Sequence, residues 1–423
     1  MRATVVCSLT LEITIVENVL NALAMGYRPL WNADRQLAGV QLFLQDIPEL
    51  PPDTAHLLRI LKEMWTPTSP RLLLAPQSPA LLQSLMHYAT PNPSLALAVR
   101  ADWLAEDNYL RQLVERAADR GVRMVWRGSM ENLPSIDTAR HYACSLLCLS
   151  PQDAVTLMRL PADQPAPARL RVLGGQMYED IYSQTLARRC LEQYNAGAIA
   201  GWPIEDTLHH LRGACRLQPS RDHVQRLLRA VDADQPLDIF EDIISEDPLL
   251  AYRFMLYANS AALGSRNPID SLRRSLVMLG YDPLKKWLGN QLLHACSEPD
   301  LEPVRHSMVM RAQLTSFLLD AGVSQELRSE VYLCGLFSRL DEVLDEPLET
   351  TLARLPLSER IPEAAVQRDG PYAPSLQLAQ AMEQEDGAAT VRALCEEHEI
   401  GLDHINRSLL RLTCSWHSPC PQW

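Results

Sequence analysis

The feature that most constrains this fold is an alternation of short apolar runs with amphipathic stretches over residues 23–203. The apolar runs are of strand length and occupy residues 72–74, 95–99, 122–126, 145–149 and 170–173. Continuous apolar strands separated by helices are typical of a parallel sheet that is buried on both faces. The number of such units predicts a β/α barrel, with a doubly wound sheet as the alternative.

The stretches between these runs have helical periodicity. Residues 79–87 form one such stretch, and residues 108–120 form another, in which Leu110, Val114 and Ala117 recur on one face. An apolar stripe of this kind predicts a helix that packs on the sheet.

Beyond residue 204 the pattern becomes helical and stays helical. Asp247 is an N-cap acceptor and Pro248 suits the first helical position, so a helix is predicted to begin there. Asp270-Ser271 opens another helix, which ends at Gly280. The predicted divisions are an N-terminal extension (1–22), a β/α domain (23–203), a helical linker (204–235), a helical domain (236–410) and a C-terminal tail (411–423).

Composition and charge narrow the classes of function. The chain has 423 residues and a net charge of −13, and its 47% of hydrophobic residues indicates a globular protein. The negative charge disfavours non-specific nucleic-acid binding, because anionic backbones attract the opposite sign. No apolar stretch reaches the ~18 residues that a membrane-spanning helix needs. The ten cysteines include no C-x-x-C pair, so we expect a cytoplasmic protein with no membrane span.

Four features in residues 236–290 carry a family resemblance. They are Asp247-Pro248-Leu249-Leu250, the run 257–262, the run 269–276 and Leu279-Gly280. With them the segment resembles the HDOD domain, a helical module related to HD-type metal phosphohydrolases. Its motif residues are Asp247, Pro248, Asn259, Ser260, Ser271 and Gly280. Asn259 has two interpretations, a structural helix-end role, which is the commoner one for such residues, or direct contact with a ligand.

The resemblance implies no hydrolytic centre in this half. Where catalytic relatives carry an adjacent His-Asp pair, this chain reads Ser338-Arg339, and arginine cannot ligate a cation. His306 matches an upstream ligand position, but a single imidazole is not a metal site. Basic residues around the motif form a candidate strip for an acidic partner or a nucleotide, with an ordinary solvated face as the alternative. The members of this strip are Arg266, Arg273, Arg274, Lys285 and Lys286.

Residues 23–203 are similar, motif by motif, to an EAL barrel, the fold of cyclic di-GMP phosphodiesterases. Residues 39–43, 121–123 and 200–202 carry the likeness in chain order. The resemblance places the family's catalytic positions on residues that are mostly unable to bind a cation. These positions are Gln41, Ala75, Ala98, Arg127, Gly128, Cys148, Gly175, Tyr178 and Ala200.

Phosphodiester hydrolysis in this fold requires oxygen ligands for Mg²⁺ or Mn²⁺ at the carboxyl ends of the strands. The assigned positions contain no carboxylate, and Arg127 adds a positive charge. Cys414, His417 and Cys420 offer three soft ligands near the C-terminus, one fewer than a structural zinc site uses. The sequence therefore predicts neither a metal nor a cofactor.

The resulting hypothesis is a degenerate EAL-like barrel joined to a helical HDOD domain in a pseudo-enzyme. It would regulate signalling, and cyclic di-GMP output in particular, through contacts with a protein partner. Two alternatives remain, a receptor that binds cyclic di-GMP without hydrolysing it and a residual cyclic di-GMP phosphodiesterase. The sequence identifies neither the partner nor the oligomeric state.

Overall fold

The computed structural model describes residues 19–47, 50–161, 174–214, 217–260, 268–319 and 322–416. The chain forms two compact units. The barrel unit consists of two segments, the first ending at Pro203 and the second beginning at Ala381, and the helical unit is Ile204–Gln380. The helical unit is therefore inserted, in sequence, into the barrel unit.

Eight strands close into a barrel in chain order. They are β1 Leu23–Trp31, β2 Leu37–Asp46, β3 Arg71–Pro76, β4 Leu95–Arg100, β5 Met124–Ser129, β6 Cys144–Cys148, β7 Met177–Glu179 and β8 Ala198–Ala200. β1 is antiparallel to both β2 and β8, whereas β2 to β8 run parallel. Four of the five predicted apolar runs overlap β3 to β6, and the fifth, at 170–173, lies outside the described residues. The prediction of a barrel is confirmed.

The barrel interior follows from the alternation of side chains along each strand. One cluster of buried residues takes members from all eight strands, so it marks the inward-facing positions. Its members are Leu30, Phe43, Leu73, Ala75, Ala96, Ala98, Val125, Cys144, Leu146, Met177, Ala198 and Ala200. Any residue two positions from one of these on the same strand also faces inward.

Helices cover the outside of the barrel between strands. They are α1 Thr54–Met64, α2 Pro79–Tyr88, α3 Ala101–Glu106, α4 Asn108–Asp119, α5 Ile136–Ala139, α6 Pro151–Arg159 and α7 Gln184–Arg188, which continues into the π-helical turn Arg189–Gln193. The helices predicted at 79–87 and 108–120 are confirmed as α2 and α4. The α4 helix begins at Asn108 because the Asp107 carboxylate accepts hydrogen bonds from the backbone amides of Tyr109 and Leu110. The apolar stripe of α4 is buried.

The helical unit contains twelve helices within its described residues. They are α8 Ile204–Ala214, α9 Arg221–Asp232, α10 Leu237–Ser245, α11 Pro248–Ala258, α12 Leu272–Leu279, α13 Tyr281–His294, α14 Leu301–Phe317, α15 Gln325–Phe337, α16 Leu340–Leu344, α17 Leu348–Leu352, α18 Arg360–Pro362 with the π-helical turn Glu363–Gln367, and α19 Ala373–Met382, whose last two residues belong to the barrel unit. The helix starts predicted at Pro248 and after Ser271, and the end at Gly280, are observed.

The predicted domain boundaries need two corrections. Residues 204–235 are not a linker, because α8 and α9 belong to the helical unit. Residues 381–410 were expected in the helical domain, but α20 Ala388–Glu397 and α21 Leu402–Ser415 belong to the barrel unit. On α21, Asn406 donates from Nδ2 to the carbonyls of Leu20 and Leu23 at 2.7 Å each. The apolar face of α21 and these bonds attach it to the start of β1.

Candidate functional site

The barrel mouth, defined as the end at which β2 to β8 terminate, is where parallel β/α barrels hold their functional groups. By strand alternation Ala98, Arg127, Cys148 and Ala200 all face the barrel interior, as does Gln41 deeper on β2. The structure therefore brings these five predicted positions to one surface.

Gly128 is the exception among the predicted barrel positions. It follows Arg127 on β5 and so faces away from the interior. A methyl group at Gly128 would lie 2.9 Å from Cβ of Ala101. Close packing against Ala101 accounts for the glycine, which is not part of the mouth surface.

Arg127 is the centre of the mouth. One edge of its guanidinium donates to Glu179, with Nε to Oε1 at 2.9 Å and Nη2 to Oε2 at 2.9 Å. The other edge donates to Glu385, with Nη1 to Oε1 at 2.6 Å and Nη2 to Oε2 at 2.7 Å. Each carboxylate is thus held bidentately, the strongest geometry available to an arginine.

Arg28 on β1 adds a second cation. Its Nη2 lies 3.4 Å from Oε2 of Glu385, and its Nη1 lies 3.6 Å from Oε2 of Glu179 and 3.7 Å from Oδ1 of Asp180. Its guanidinium also stands 5.2 Å from the centre of the Phe43 ring. We call Arg28, Arg127, Glu179 and Glu385 the mouth cluster.

Burial makes these charges interdependent. The side chains of Arg127 and Glu179 are 11% and 6% exposed, whereas that of Glu385 is 26% exposed. Burial raises the pKa of Glu179, and the neighbouring charge of Arg127 opposes that rise. Burial would also raise the pKa of Glu385, but the hydrogen bonds and charge of Arg127 outweigh it and lower that pKa. Glu385 is therefore held as a carboxylate.

Three members of the mouth cluster were missed from sequence. The family's later glutamate positions were assigned to Gly175 and Tyr178, whereas the inward-facing carboxylate at the end of β7 is Glu179. Its position two residues after the apolar Met177 was the available signal. Arg28 could have been found by the same alternation on β1, but no sequence signal points to Glu385, which lies 258 residues from Arg127.

The donor set of the mouth does not fit Mg²⁺ or Mn²⁺, which need several oxygen ligands. Ala98 and Ala200 supply no donor, and burial, followed by the nearby acidic groups Asp180 and Glu179, raises the pKa of Cys148 and keeps it a thiol. Glu179 is bound to Arg127. Over the described ranges as a whole, no group of three or more His, Cys, Asp or Glu residues is placed to hold a metal ion.

Gln41 is a polar side chain buried in the barrel interior. It is fully buried, and neither its Oε1 nor its Nε2 has a hydrogen-bond partner among the residues that the structure describes. A buried amide without partners is costly. Its register partners on the neighbouring strands are Arg28 on β1 and Leu73 on β3.

In the helical unit, Asp247 is a fully buried helix cap. Its Oδ1 accepts from the amides of Leu249 and Leu250 at 2.9 and 3.1 Å, and its Oδ2 accepts from the amide of Ser220 at 2.6 Å. Pro248 occupies the first turn of the same helix. Asp247 therefore both begins α11 and fixes the segment before α9.

Asn259, Ser271 and Gly280 of the motif also have structural roles. Asn259 donates from Nδ2 to the carbonyls of Met255 and Ile269 and accepts from the amide of Ile269, all at 2.9 Å. Ser271 caps α12. Gly280 joins α12 to α13 with a φ of 72°, a conformation that favours glycine. The Ser260 hydroxyl is buried with no partner among the described residues.

At Ser338-Arg339, where the resemblance places the His-Asp pair of catalytic relatives, Arg339 donates to Glu342, with Nε to Oε1 at 2.8 Å and Nη2 to Oε2 at 2.7 Å. Ser338 donates to the carbonyl of Gly335 at 2.7 Å. Both line a polar cavity of about 230 Å³. His306 is enclosed elsewhere on α14, where burial lowers its pKa to about 4.

The predicted basic strip is not a field of free cations. Arg273 pairs with Asp238 and Glu241, Arg274 pairs with Asp270, and Lys285 pairs with Asp232. Lys286 is exposed, and Arg266 lies outside the described residues. Acidic residues thus neutralise three of the five positions, which agrees with the alternative of an ordinary solvated face.

A groove of about 760 Å³ crosses the helical unit between α10, α12, α14 and α15. Its acidic members include Asp238, Glu241 and Asp242, and Phe317, 42% exposed, gives it an apolar element. Burial raises the pKa of Asp242, and Glu246 and Asp238 raise it further. Arg273, which pairs with Asp238 and Glu241, and Arg328 also line the groove, but the carboxylates outnumber these two arginines.

Of the C-terminal tail residues, Cys414 is described and His417 and Cys420 are not. The carbonyl of Cys414 accepts a hydrogen bond from Ser69 at 2.6 Å. No helix within the described part of the chain is long and apolar enough to cross a membrane.

Comparison with known proteins gives a family match for part of the chain. Residues 217–344 match the model of the HDOD domain. The chain is similar to the cyclic di-GMP phosphodiesterase CdgJ of Vibrio cholerae, at 26% identity over 170 residues, which are 40% of this chain and 39% of CdgJ. The match thus spans about two fifths of that relative.

Among solved structures, the response regulator MmoQ of Methylococcus capsulatus is similar at 16% identity and a TM-score of 0.36, over 46% of this chain and 97% of MmoQ. The FimX EAL domain of Pseudomonas aeruginosa, bound to cyclic di-GMP, is similar at 15% identity and a TM-score of 0.29, over 45% of this chain and 94% of that domain. The chain combines a closed β/α barrel with a helical unit, and residues within that unit match the HDOD domain.

Proposed function

We propose that this protein is a catalytically inactive regulator that acts through protein–protein contacts in cyclic di-GMP signalling. One observation carries the proposal, the guanidinium of Arg127 at the barrel mouth, held between Glu179 and Glu385. Hydrolysis would need a divalent cation at this end of the barrel to activate water. Two arginines repel such a cation, and the carboxylates that could attract it are engaged.

The link to cyclic di-GMP is supported by the relatives. CdgJ carries the name of a cyclic di-GMP phosphodiesterase, and the FimX domain was solved with cyclic di-GMP. We extend the signalling context to this chain but not the hydrolytic activity, because the mouth cluster differs from a metal centre.

A turnover assay tests the inactivity. Purified full-length protein is incubated with cyclic di-GMP, or with its linear product, and Mg²⁺ or Mn²⁺, and the nucleotides are separated by chromatography. An active phosphodiesterase serves as the positive control. We expect no product above the protein-free blank. Metal-dependent turnover that disappears in Glu179→Gln would instead establish a residual phosphodiesterase.

A receptor that binds cyclic di-GMP is the second candidate, and the unpaired amide of Gln41 together with the arginines of the mouth favours it. Buried polar groups without partners inside a barrel are available to a ligand or to water. Calorimetric titration with cyclic di-GMP separates the candidates. Saturable binding without turnover identifies a receptor, and no heat of binding favours the regulator that acts only through proteins.

The groove of the helical unit is the candidate partner surface. Its carboxylates and Phe317 suit a partner segment that carries basic and apolar side chains. Once a partner has been identified, Asp242→Arg should weaken the complex at least tenfold. Asp386→Asn, which removes an exposed carboxylate in the barrel unit, is the control and should leave the affinity unchanged.

A further inference from the structure

The mouth cluster has the geometry of an occupied anion-binding site. Glu385 presents both carboxylate oxygens to Nη1 and Nη2 of Arg127 at 2.6 and 2.7 Å, and Arg28 approaches the same carboxylate at 3.4 Å. Proteins also bind phosphate groups with two guanidinium groups that converge on one oxyanion. Glu179 holds the other edge of Arg127 and so fixes its orientation.

We infer that Arg28 and Arg127 form an oxyanion-binding site at the barrel mouth and that Glu385 is its tethered resident anion, which a phosphate group can replace. The inference rests on the proposed function, in which this mouth does not hold a catalytic metal. It adds a ligand class and a form of regulation, because an incoming phosphate must compete with a carboxylate of the chain itself.

Replacement requires movement of the Glu385 side chain and not of the backbone that carries it. The backbone of the turn after α19 is closely packed: a methyl group on Gly26 would lie 2.9 Å from the carbonyl of Met382, and one on Gly387 would lie 1.9 Å from the carbonyl of Ala381. The Glu385 side chain is 26% exposed, against 6% for Glu179. Glu385 can therefore rotate toward solvent, whereas Glu179 stays in place to position Arg127.

Movement of Glu385 removes the excess negative charge around the two arginines. The two arginines then face only Glu179 and the more exposed Asp180. The Nη1 and Nη2 donors of Arg127 that held Glu385 become free, in a site shielded from bulk water. A charge-assisted bidentate contact is the expected replacement.

The test compares phosphate binding by full-length variants. Glu385→Gln keeps the shape of the side chain and removes its charge, and Glu385→Ala removes the competing group. Asp386→Asn loses the same charge from the adjacent, exposed position. Inorganic phosphate is titrated by calorimetry at constant ionic strength, with chloride as the reference anion. A tethered competitor acts at millimolar effective concentration, so we expect Glu385→Ala to bind phosphate about tenfold more tightly than the wild type or more.

Asp386→Asn should match the wild type, and Arg127→Gln in the Glu385→Ala background should abolish the gain. Equal phosphate affinity in the wild type and Glu385→Ala, or an equal gain in Asp386→Asn, would refute the site. If Glu385→Ala does not fold, Glu385→Gln decides, because it removes the competing charge and keeps the shape of the side chain. Glu385→Gln must then bind phosphate more tightly than the wild type, and an equal affinity refutes the inference.

Two further experiments ask which phosphate compound the site accepts and whether the proposed inactivity, on which the inference rests, is correct. Titration with cyclic di-GMP shows whether the site accepts a phosphodiester as well as the free ion. The turnover assay is run on the same Glu385→Ala protein. Hydrolysis by this variant would contradict the proposed inactivity without refuting the anion site. If the variant neither binds phosphate nor hydrolyses the nucleotide, only the anion site is refuted.

Discussion

Replacing Arg127 by glutamine should reveal how strongly the mouth cluster supports the barrel. Glutamine retains part of the side chain but removes the charge that compensates Glu179, whose side chain is 6% exposed. Only Arg28, with its nearest nitrogen 3.6 Å away, would then face that carboxylate. Removing one partner of a buried ion pair typically costs about 3–5 kcal/mol. Because Arg28 would still compensate part of the Glu179 charge, we expect the lower end, about 3 kcal/mol.

The measurement is urea unfolding followed by circular dichroism, with thermal unfolding as a second reading. A loss of about 3 kcal/mol corresponds to a fall in Tm of roughly 6–12 °C for a unit of this size. The matched control is Arg100→Gln, which breaks the exposed pair with Asp102 and should cost less than about 1 kcal/mol.

A double-mutant cycle separates charge from shape. Adding Glu179→Gln to Arg127→Gln removes the uncompensated charge, so the double variant should recover at least half of the loss. If Arg127→Gln matches Arg100→Gln, or if Glu179→Gln worsens it further, the account of the mouth cluster as a compensated buried charge is wrong.

Three further predictions concern other parts of the two units. Because the folded-state pKa of Glu385 is lowered, its charge contributes fully to stability above about pH 4.5, and this contribution is lost as the pH falls through the folded-state pKa. The difference in unfolding free energy between the wild type and Glu385→Gln should therefore be constant near neutral pH and should shrink in acid. Asp247→Ala removes a cap and leaves the Ser220 amide unpaired, so calorimetry should show a loss of about 2–3 kcal/mol, and a loss under about 0.5 kcal/mol would contradict the role of the cap. Gly26→Ala should destabilise the barrel by about 1–3 kcal/mol through the clash with Met382, whereas Gly289→Ala, a helical position with open space, should be neutral or stabilising in the same melting assay.

The sequence predicted most of what depends on local pattern. Four of the eight barrel strands, β3 to β6, were found because continuous apolar runs are required wherever both faces of a strand are buried. The helix starts at Pro248 and after Ser271 were found because their caps act within one turn. The resemblance to the EAL barrel, and not the local pattern, placed Arg127 among the positions at the barrel mouth.

The partners of Arg127 were decided by the tertiary structure. Glu179 could have been identified from the alternation of side chains along β7. Glu385 lies beyond an inserted helical unit, and the residues next to it give no sign that it pairs with Arg127. The assignment of residues 381–416 to the barrel unit has the same origin. An amphipathic helix such as α21 has an apolar face that could pack on any core of suitable shape, and the hydrogen bonds of Asn406 to Leu20 and Leu23 specify the one it uses. Local sequence thus determines which segments form strands and helices, whereas the pairing of distant charges depends on where the closed barrel brings the chain back.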